Sequence, residues 1–317
     1  MKKLVDKLIK PSTRAFFSEK TGQPGYPLWD RVHGYIYGRW PYLYIGVGTG
    51  RHPIASVIKP LWKTLTRVKR KSEEERSRAK IRFAQGYHGK ALPLEEAIKL
   101  VRVEQSINLG DLEQVIPYSR ARQIILKNPQ HIAALECPCR SSRENPCLPL
   151  DVCLIVGDPF ASFILEHHPG RSRRISGSEA AEILESEHKR GHVHHAFFKD
   201  AMLDRFYAIC NCCSCCCGAM KAQRNGVPML ASSGFTVEAD PDGCLGCAAC
   251  AESCQFGAIS MDNDRPEINE ELCMGCGVCV DRCSQECLSL RRHAGKCPPL
   301  EINRLIQRQK HQSAGGI

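Results

Sequence analysis

Eight cysteines near the C-terminal end fall into two copies of the pattern Cys-x2-Cys-x2-Cys-x3-Cys. Cys244, Cys247, Cys250 and Cys254 reappear 29 positions later as Cys273, Cys276, Cys279 and Cys283. Gly246 matches Gly275 and Ile259 matches Leu288, so the segment reads as an internal duplication. Three thiols at this spacing wrap a tight loop around one iron–sulfur cubane, and glycines let the backbone turn closely enough to aim N–H groups at the sulfurs. The fourth cysteine is expected to begin a following helix that leads away, so it serves the cluster of the other repeat. The expected ligand sets are Cys244, Cys247, Cys250 and Cys283 for one [4Fe–4S] cluster, and Cys273, Cys276, Cys279 and Cys254 for the second. Zinc also accepts four thiolates, but a duplicated three-plus-one pattern with exchanged fourth ligands points to iron. Two such clusters without a substrate pocket make a relay for single electrons.

The duplicated segment resembles the bacterial-type two-[4Fe–4S] ferredoxin domain, over residues 236–292, about a sixth of the chain. It departs from that pattern where a proline usually follows each fourth cysteine: Gln255 and Ser284 stand there instead. Proline is not a ligand, so cluster binding is expected to survive, with altered loop stiffness. Cys287 reads as a packed core thiol. Cys297, before two prolines, has no assigned role.

Ten further cysteines lie upstream in two sets. Cys137, Cys139, Cys147 and Cys153 form one; Cys210, Cys212, Cys213, Cys215, Cys216 and Cys217 form the other. Neighbouring side chains on an extended segment point opposite ways, so adjacent cysteines are not expected to serve one cubane. Ligands split between the sets would suffice for one or two additional iron–sulfur clusters; structural zinc is the alternative. The arrangement resembles a group of little-characterised anaerobe proteins that carry a cysteine-rich region ahead of a two-cluster ferredoxin domain. Cys216-Cys217-Gly218 is similar to the Cys-Cys-Gly modules of heterodisulfide reductases. Cys147-x5-Cys153 with Cys213-x3-Cys217 is similar to the sirohaem-coupled cluster of sulfite and nitrite reductases. On a strand, His192 and His194 share one face and His195 takes the other; a structural role is favoured over metal or proton transfer. Arg140 is a candidate partner for a cluster or an anion, or a member of an ordinary ion pair.

Elements must bring these thiols together. His131–Leu135 reads as a strand running into Cys137, and Val152–Val156 as another. Strands over 192–198 and 205–209 follow, the last entering the second set, so one sheet could deliver both sets to one edge. Helices are predicted after Pro93, over 118–127, from a capping box at Ser176 and Glu179, over a charged connector at 69–80, and over 300–310, with a frayed end beyond. Gly46, Gly48 and Gly50 form a weak phosphate-loop signal. The fold class expected is α+β: a cysteine-rich mixed α/β middle domain (86–235) plus the C-terminal ferredoxin-like two-cluster domain (236–292), flanked by a basic aromatic-rich docking region (1–85) and a tail (293–317).

Composition sets the remaining bounds. The chain has 317 residues, 43% hydrophobic and 25% charged, which excludes collagen-like or wholly disordered chains. No apolar stretch approaches the roughly 18 residues that span a bilayer. Asp6 and Lys7 interrupt the start of a signal-like opening, so a cytoplasmic protein with reduced thiols is expected. Residues 1–85 hold 19 Lys and Arg against 6 Asp and Glu, whereas the whole chain carries +10. With Tyr35, Tyr37, Trp40, Tyr42 and Tyr44 beside Arg31, Arg39 and Arg51, this part is a candidate for docking a partner redox protein, a larger oxidoreductase complex or a membrane surface. Local packing is the alternative use for those rings. Nucleic acid is not expected, since no recognition motif accompanies the charge. The leading expectation is an electron-transfer protein; the rival is an oxidoreductase whose middle cysteine site is catalytic.

Overall fold

The computed structural model describes residues 9–20, 25–56, 72–110 and 112–314. Helix and strand contents of 37% and 24% place it in the mixed α+β class. The middle of the chain forms an eight-stranded sheet. Its strands are β1 (Tyr87–Leu92), β2 (Ile107–Leu109), β3 (Ile124–Leu135), β4 (Cys153–Asp158), β5 (Ser172–Ile175), β6 (Val193–Lys199), β7 (Arg205–Cys212) and β8 (Leu230–Ala231). The order is β2-β3-β4-β7-β6-β1-β8, with β5 also on β3. Every pairing is antiparallel except β1 with β8. β4, β6 and β7 are buried almost throughout, which fits apolar runs covered on both faces.

Helices supply the cover. In chain order they are α1 (Pro11–Ser18), α2 (Leu28–Arg39), α3 (Pro41–Thr49), α4 (Glu73–Gly86), α5 (Leu94–Val101), the short α6 (Pro138–Ser141), α7 (Phe160–His167) and α8 (Gly177–Lys189). α7 packs on β3 and β4, and α5 and α8 pack together on the sheet. Phe16 of α1, Tyr37 of α2, Phe160 of α7 and Ile209 of β7 belong to one continuous core. Tyr37 Oη lies 2.9 Å from Tyr207 Oη, tying α2 to β7. Trp29 (73%) and Trp40 (45%) stay exposed, so the aromatic run divides between core and surface.

Two expectations are corrected here. The predicted helix at 118–127 is absent; Ala121 takes φ 51, which stops a right-handed helix, and the β-branched pair Ile124–Ile125 opens β3. Gly46 and Gly48 lie inside α3 and Gly50 is its left-handed C-cap, so this run makes no phosphate loop. The expected connector helix appears as α4, with Ser72 and Glu75 closing a capping box; residues 69–71 lie outside the described residues.

After α9 (Gly218–Arg224), the C-terminal segment holds β9 (Phe235–Ala239), α10 (Ala249–Ser253), β10 (Ile259–Asp262), β11 (Arg265–Ile268), α11 (Val278–Asp281) and β12 (Leu288–Arg292). β9 pairs with β12 and β10 with β11, both antiparallel, so its two ends close on each other. Val237, Ile259 and Leu288 pack there with Cys250, Cys273, Cys279 and Cys287 in a second small core. A final helix, α12 (Ile302–Ala314), packs on α5 and β2.

Candidate metal centres

The two C-terminal loops share their backbone turns, and Cys254 and Cys283 follow the short helices α10 and α11 instead of beginning a helix, which corrects the sequence expectation. Gly246 and Gly275 take φ of +70° and +60°, and Ala248 and Gly277, at matching repeat positions, take +61° and +85°. A Cβ on Gly275 would lie 2.3 Å from the Phe235 carbonyl oxygen, so only glycine fits that turn. Backbone amides point at sulfur: Gly246 N–H donates to Cys244 Sγ (3.5 Å) and Ala258 N–H to Cys254 Sγ (3.2 Å). Burial pushes the Cys276 thiol up to about 12, and the thiols beside it are Cys254 and Cys273. Burial likewise raises Cys279, and the nearby thiols Cys276, Cys254, Cys273 and Cys250 add to the rise. Thiols of the first repeat thus act on those of the second. Cys250 has Cys244 and Cys247 as neighbours. Such crowded, buried thiols resist ionisation on their own, and a bound cationic cluster is what would hold them as thiolates. The donor set fits iron–sulfur clusters.

Cys287 is as buried as the packed-thiol reading expects, but it is not isolated. Its Sγ lies 3.3 Å from Cys283 Sγ, and Cys244 is also a neighbour. The repeat gave no signal for this, because its counterpart is Ala258.

The ten upstream cysteines separate into two groups that cut across the sequence sets. Six are gathered around the sheet. Cys153 faces Cys210 across the β4–β7 ladder, their sulfurs 3.6 Å apart. Cys212 and Cys217 are 3.3 Å apart, and Cys139 interacts with both Cys137 and Cys217. Hydrogen bonding to Cys139 and burial raise Cys137; contact with Cys153 and burial raise Cys210. Strand alternation explains the delivery, since Cys210 and Cys212 are two apart on β7 and share a face. Both lie within β7 rather than at its exit. His195 stands opposite Cys210 in the β6–β7 register, on that same face, and neither ring nitrogen has a hydrogen-bond partner. Burial pushes it down to about 4, so the imidazole is neutral, the form that a metal takes.

The other four, Cys147, Cys213, Cys215 and Cys216, hold their sulfurs within 4.8 Å of one another. The extended-chain argument fails here because residues 214–216 form a turn, and Cys215 and Cys216 sulfurs approach to 3.6 Å.

A buried polar network runs beside the six-thiol group. Arg140 donates to Glu187, both side chains 1% exposed, and to the carbonyls of Pro149 (2.6 Å) and Asn211 (3.1 Å). His192 Nδ1 lies 2.7 Å from the Glu187 carboxylate, and His194 Nδ1 is 2.6 Å from Asn211 Oδ1. His192 and His194 thus take structural partners, and Arg140 forms an ion pair whose influence extends to Cys137 and Cys213.

Residues 236–284 match the family model of the 4Fe–4S dicluster domain. The match supports iron–sulfur binding by this stretch, called the dicluster segment after the description of that family model. A comparison with curated proteins gives no match. The dicluster segment contacts the turn after β7 and the end of α8: Gln255 Oε1 accepts from Ser214 N–H at 2.8 Å, and Arg282 donates to the Lys189 carbonyl.

Sequence reasoning did not find a cavity of about 590 Å³ between α2, α3, α4 and the sheet. Apolar and aromatic side chains, among them Trp40, Phe83 and Met229, line it together with Cys139 and Lys199. The Lys199 ammonium sits over the rings of Tyr87 (4.6 Å) and Tyr37 (5.2 Å), and burial lowers its pKa. Only the tyrosines' interleaving with arginine was visible in the sequence; Lys199 carried no motif.

Proposed function

We propose that this chain is an iron–sulfur electron-transfer protein that relays single electrons through two [4Fe–4S] clusters. Cys244, Cys247, Cys250 and Cys283 would hold one, and Cys273, Cys276, Cys279 and Cys254 the other. Bound there, each cluster supplies reversible one-electron chemistry at a potential set by charge, hydrogen bonds to sulfur and exposure. The observation that carries the reading is the match of residues 236–284 to the 4Fe–4S dicluster model, and the electrostatic influence of Cys254 on Cys276 and Cys279 supports the exchanged fourth ligand. The six-thiol group of Cys137, Cys139, Cys153, Cys210, Cys212 and Cys217 extends the relay as a further iron–sulfur site, and the edge contact of Phe256 with His195, which stands opposite Cys210, supports that order. The partner is a redox protein or a larger oxidoreductase complex. The basic N-terminal part, with Leu28, Trp29 and Leu43 exposed, suits docking to it or to an anionic membrane surface on the cytoplasmic side. No helix among the described residues is long and apolar enough to cross a membrane.

The test replaces Cys254 by Ala in the full chain. Anaerobic electron paramagnetic resonance should show damage to the cluster of Cys273, Cys276 and Cys279, with the cluster of Cys244, Cys247 and Cys250 retained. Loss of the first repeat's cluster instead contradicts the ligand exchange.

The cavity favours a second reading, an oxidoreductase whose middle site reduces a substrate fed by the dicluster segment. Cys139 belongs to the six-thiol group and also lines the cavity, so an apolar ligand there would touch the metal site. Turnover that disappears in Lys199→Met while all iron is retained would support this enzyme.

A further inference from the structure

The four thiols of Cys147, Cys213, Cys215 and Cys216 are arranged differently from every other cysteine group in the molecule. Among the described residues, they are the one set of three or more potential ligands whose donor atoms all lie within 4.8 Å of one another. Cys147 Sγ lies 3.2 Å from Cys215 Sγ although 68 positions separate them. A tetrahedral ion with metal–sulfur bonds of about 2.3 Å sets its sulfurs about 3.8 Å apart. A cubane cannot accept that crowding, because each thiolate binds a different iron at a different corner, which spreads the sulfurs. The dicluster cysteines provide the internal comparison: no three of them come within this mutual range.

We infer that Cys147, Cys213, Cys215 and Cys216 bind one zinc ion, as a closed tetrathiolate site separate from the iron–sulfur groups. Closed four-thiolate coordination leaves no open position, so the ion is structural. It would pin the loop carrying Cys147 to the turn after β7, two segments that no other metal site joins. Four thiolates outweigh a divalent cation, and the surrounding charge answers this. Arg51, Arg143 and Arg224 line the recess with Cys215 and Cys216. Their guanidinium groups donate to the carbonyls of Cys216 (2.9 Å), Cys215 and Ser214 respectively, holding the turn that carries the ligands. The neighbouring six-thiol group strings Cys137, Cys139, Cys217 and Cys212 in a row beside the Cys153–Cys210 pair and does not close four sulfurs on one point, so the two groups are distinct in geometry.

The test is elemental analysis of full-length protein purified anaerobically, beside the Cys147→Ser/Cys215→Ser double variant. We expect about one zinc per chain, falling to near zero in the variant with iron content unchanged. Should the variant fail to fold, zinc-edge X-ray absorption on the unaltered protein gives the answer: a single shell of sulfur at about 2.3 Å and no iron neighbour. Iron lost from the variant in place of zinc would overturn the proposal, as would a zinc-free protein with a Cys147–Cys215 disulfide. Zinc lost with iron retained, against iron lost with zinc retained, separates this site from the relay reading.

Discussion

Gln255 accepts a hydrogen bond from the Ser214 amide at 2.8 Å, joining the loop after Cys254 to the turn between Cys213 and Cys215. Gln255 stands where ferredoxin-like repeats usually carry proline, and a proline could not make this bond. The departure from the pattern is thus the contact between the dicluster segment and the middle thiols. Gln255→Pro should leave the dicluster iron in place and lower stability by about 1 kcal/mol, the worth of one hydrogen bond. Reduction of the six-thiol site through the dicluster pair should slow, because Gln255 anchors the neighbouring Phe256 against His195, which stands opposite Cys210. Stopped-flow spectroscopy at matched iron content checks this; unchanged rates would mean that electrons take another route.

The buried pair Arg140–Glu187 makes the second prediction. Glu187→Leu strands a guanidinium that is 1% exposed and should cost about 3 kcal/mol, the low end for a broken buried pair, because the carbonyls of Pro149 and Asn211 still accept from it. Adding Arg140→Met should recover much of that loss. Urea midpoints of the two variants measure it, and a simple sum of two losses would show that the pair acts independently.

His88 sets a pH dependence. Its ring stacks on Tyr118 at 3.8 Å, Nδ1 donates to the Ala84 carbonyl at 3.0 Å, and Nε2 has no partner. Burial pushes it down to about 4 from 6.5, so the folded chain refuses a proton that the unfolded chain takes. Its contribution is fully present above pH 6.5 and is lost as the pH falls through the interval down to about 4, by up to about 1.4 kcal/mol per pH unit. His88→Phe should flatten the acid limb of stability against pH in denaturant melts; an identical limb would assign it to other groups.

The duplicated loops were legible because cluster chemistry dictates spacing, and spacing survives in sequence. Strand β4 was legible as an apolar run, and β6 and β7 through their short apolar centres, Ala196–Phe198 and Phe206–Ile209, between polar ends. The division of the upstream cysteines was not. It depends on Cys153 facing Cys210, which sheet register sets, and on the Cys147 loop reaching the turn that carries Cys215, and no local pattern encodes either relation. The error at 118–127 came from reading side-chain periodicity through Ala121, whose left-handed backbone only the tertiary structure reveals. Cys287 and Lys199 acquired their neighbours the same way.

Anaerobic iron and sulfide counting, with electron paramagnetic resonance of the dithionite-reduced full chain, tests the central claim most directly. The account predicts two magnetically interacting [4Fe–4S] centres supplying about eight irons, and additional iron that disappears in Cys153→Ser/Cys210→Ser. A colourless protein with zinc alone at Cys244–Cys283 would contradict it.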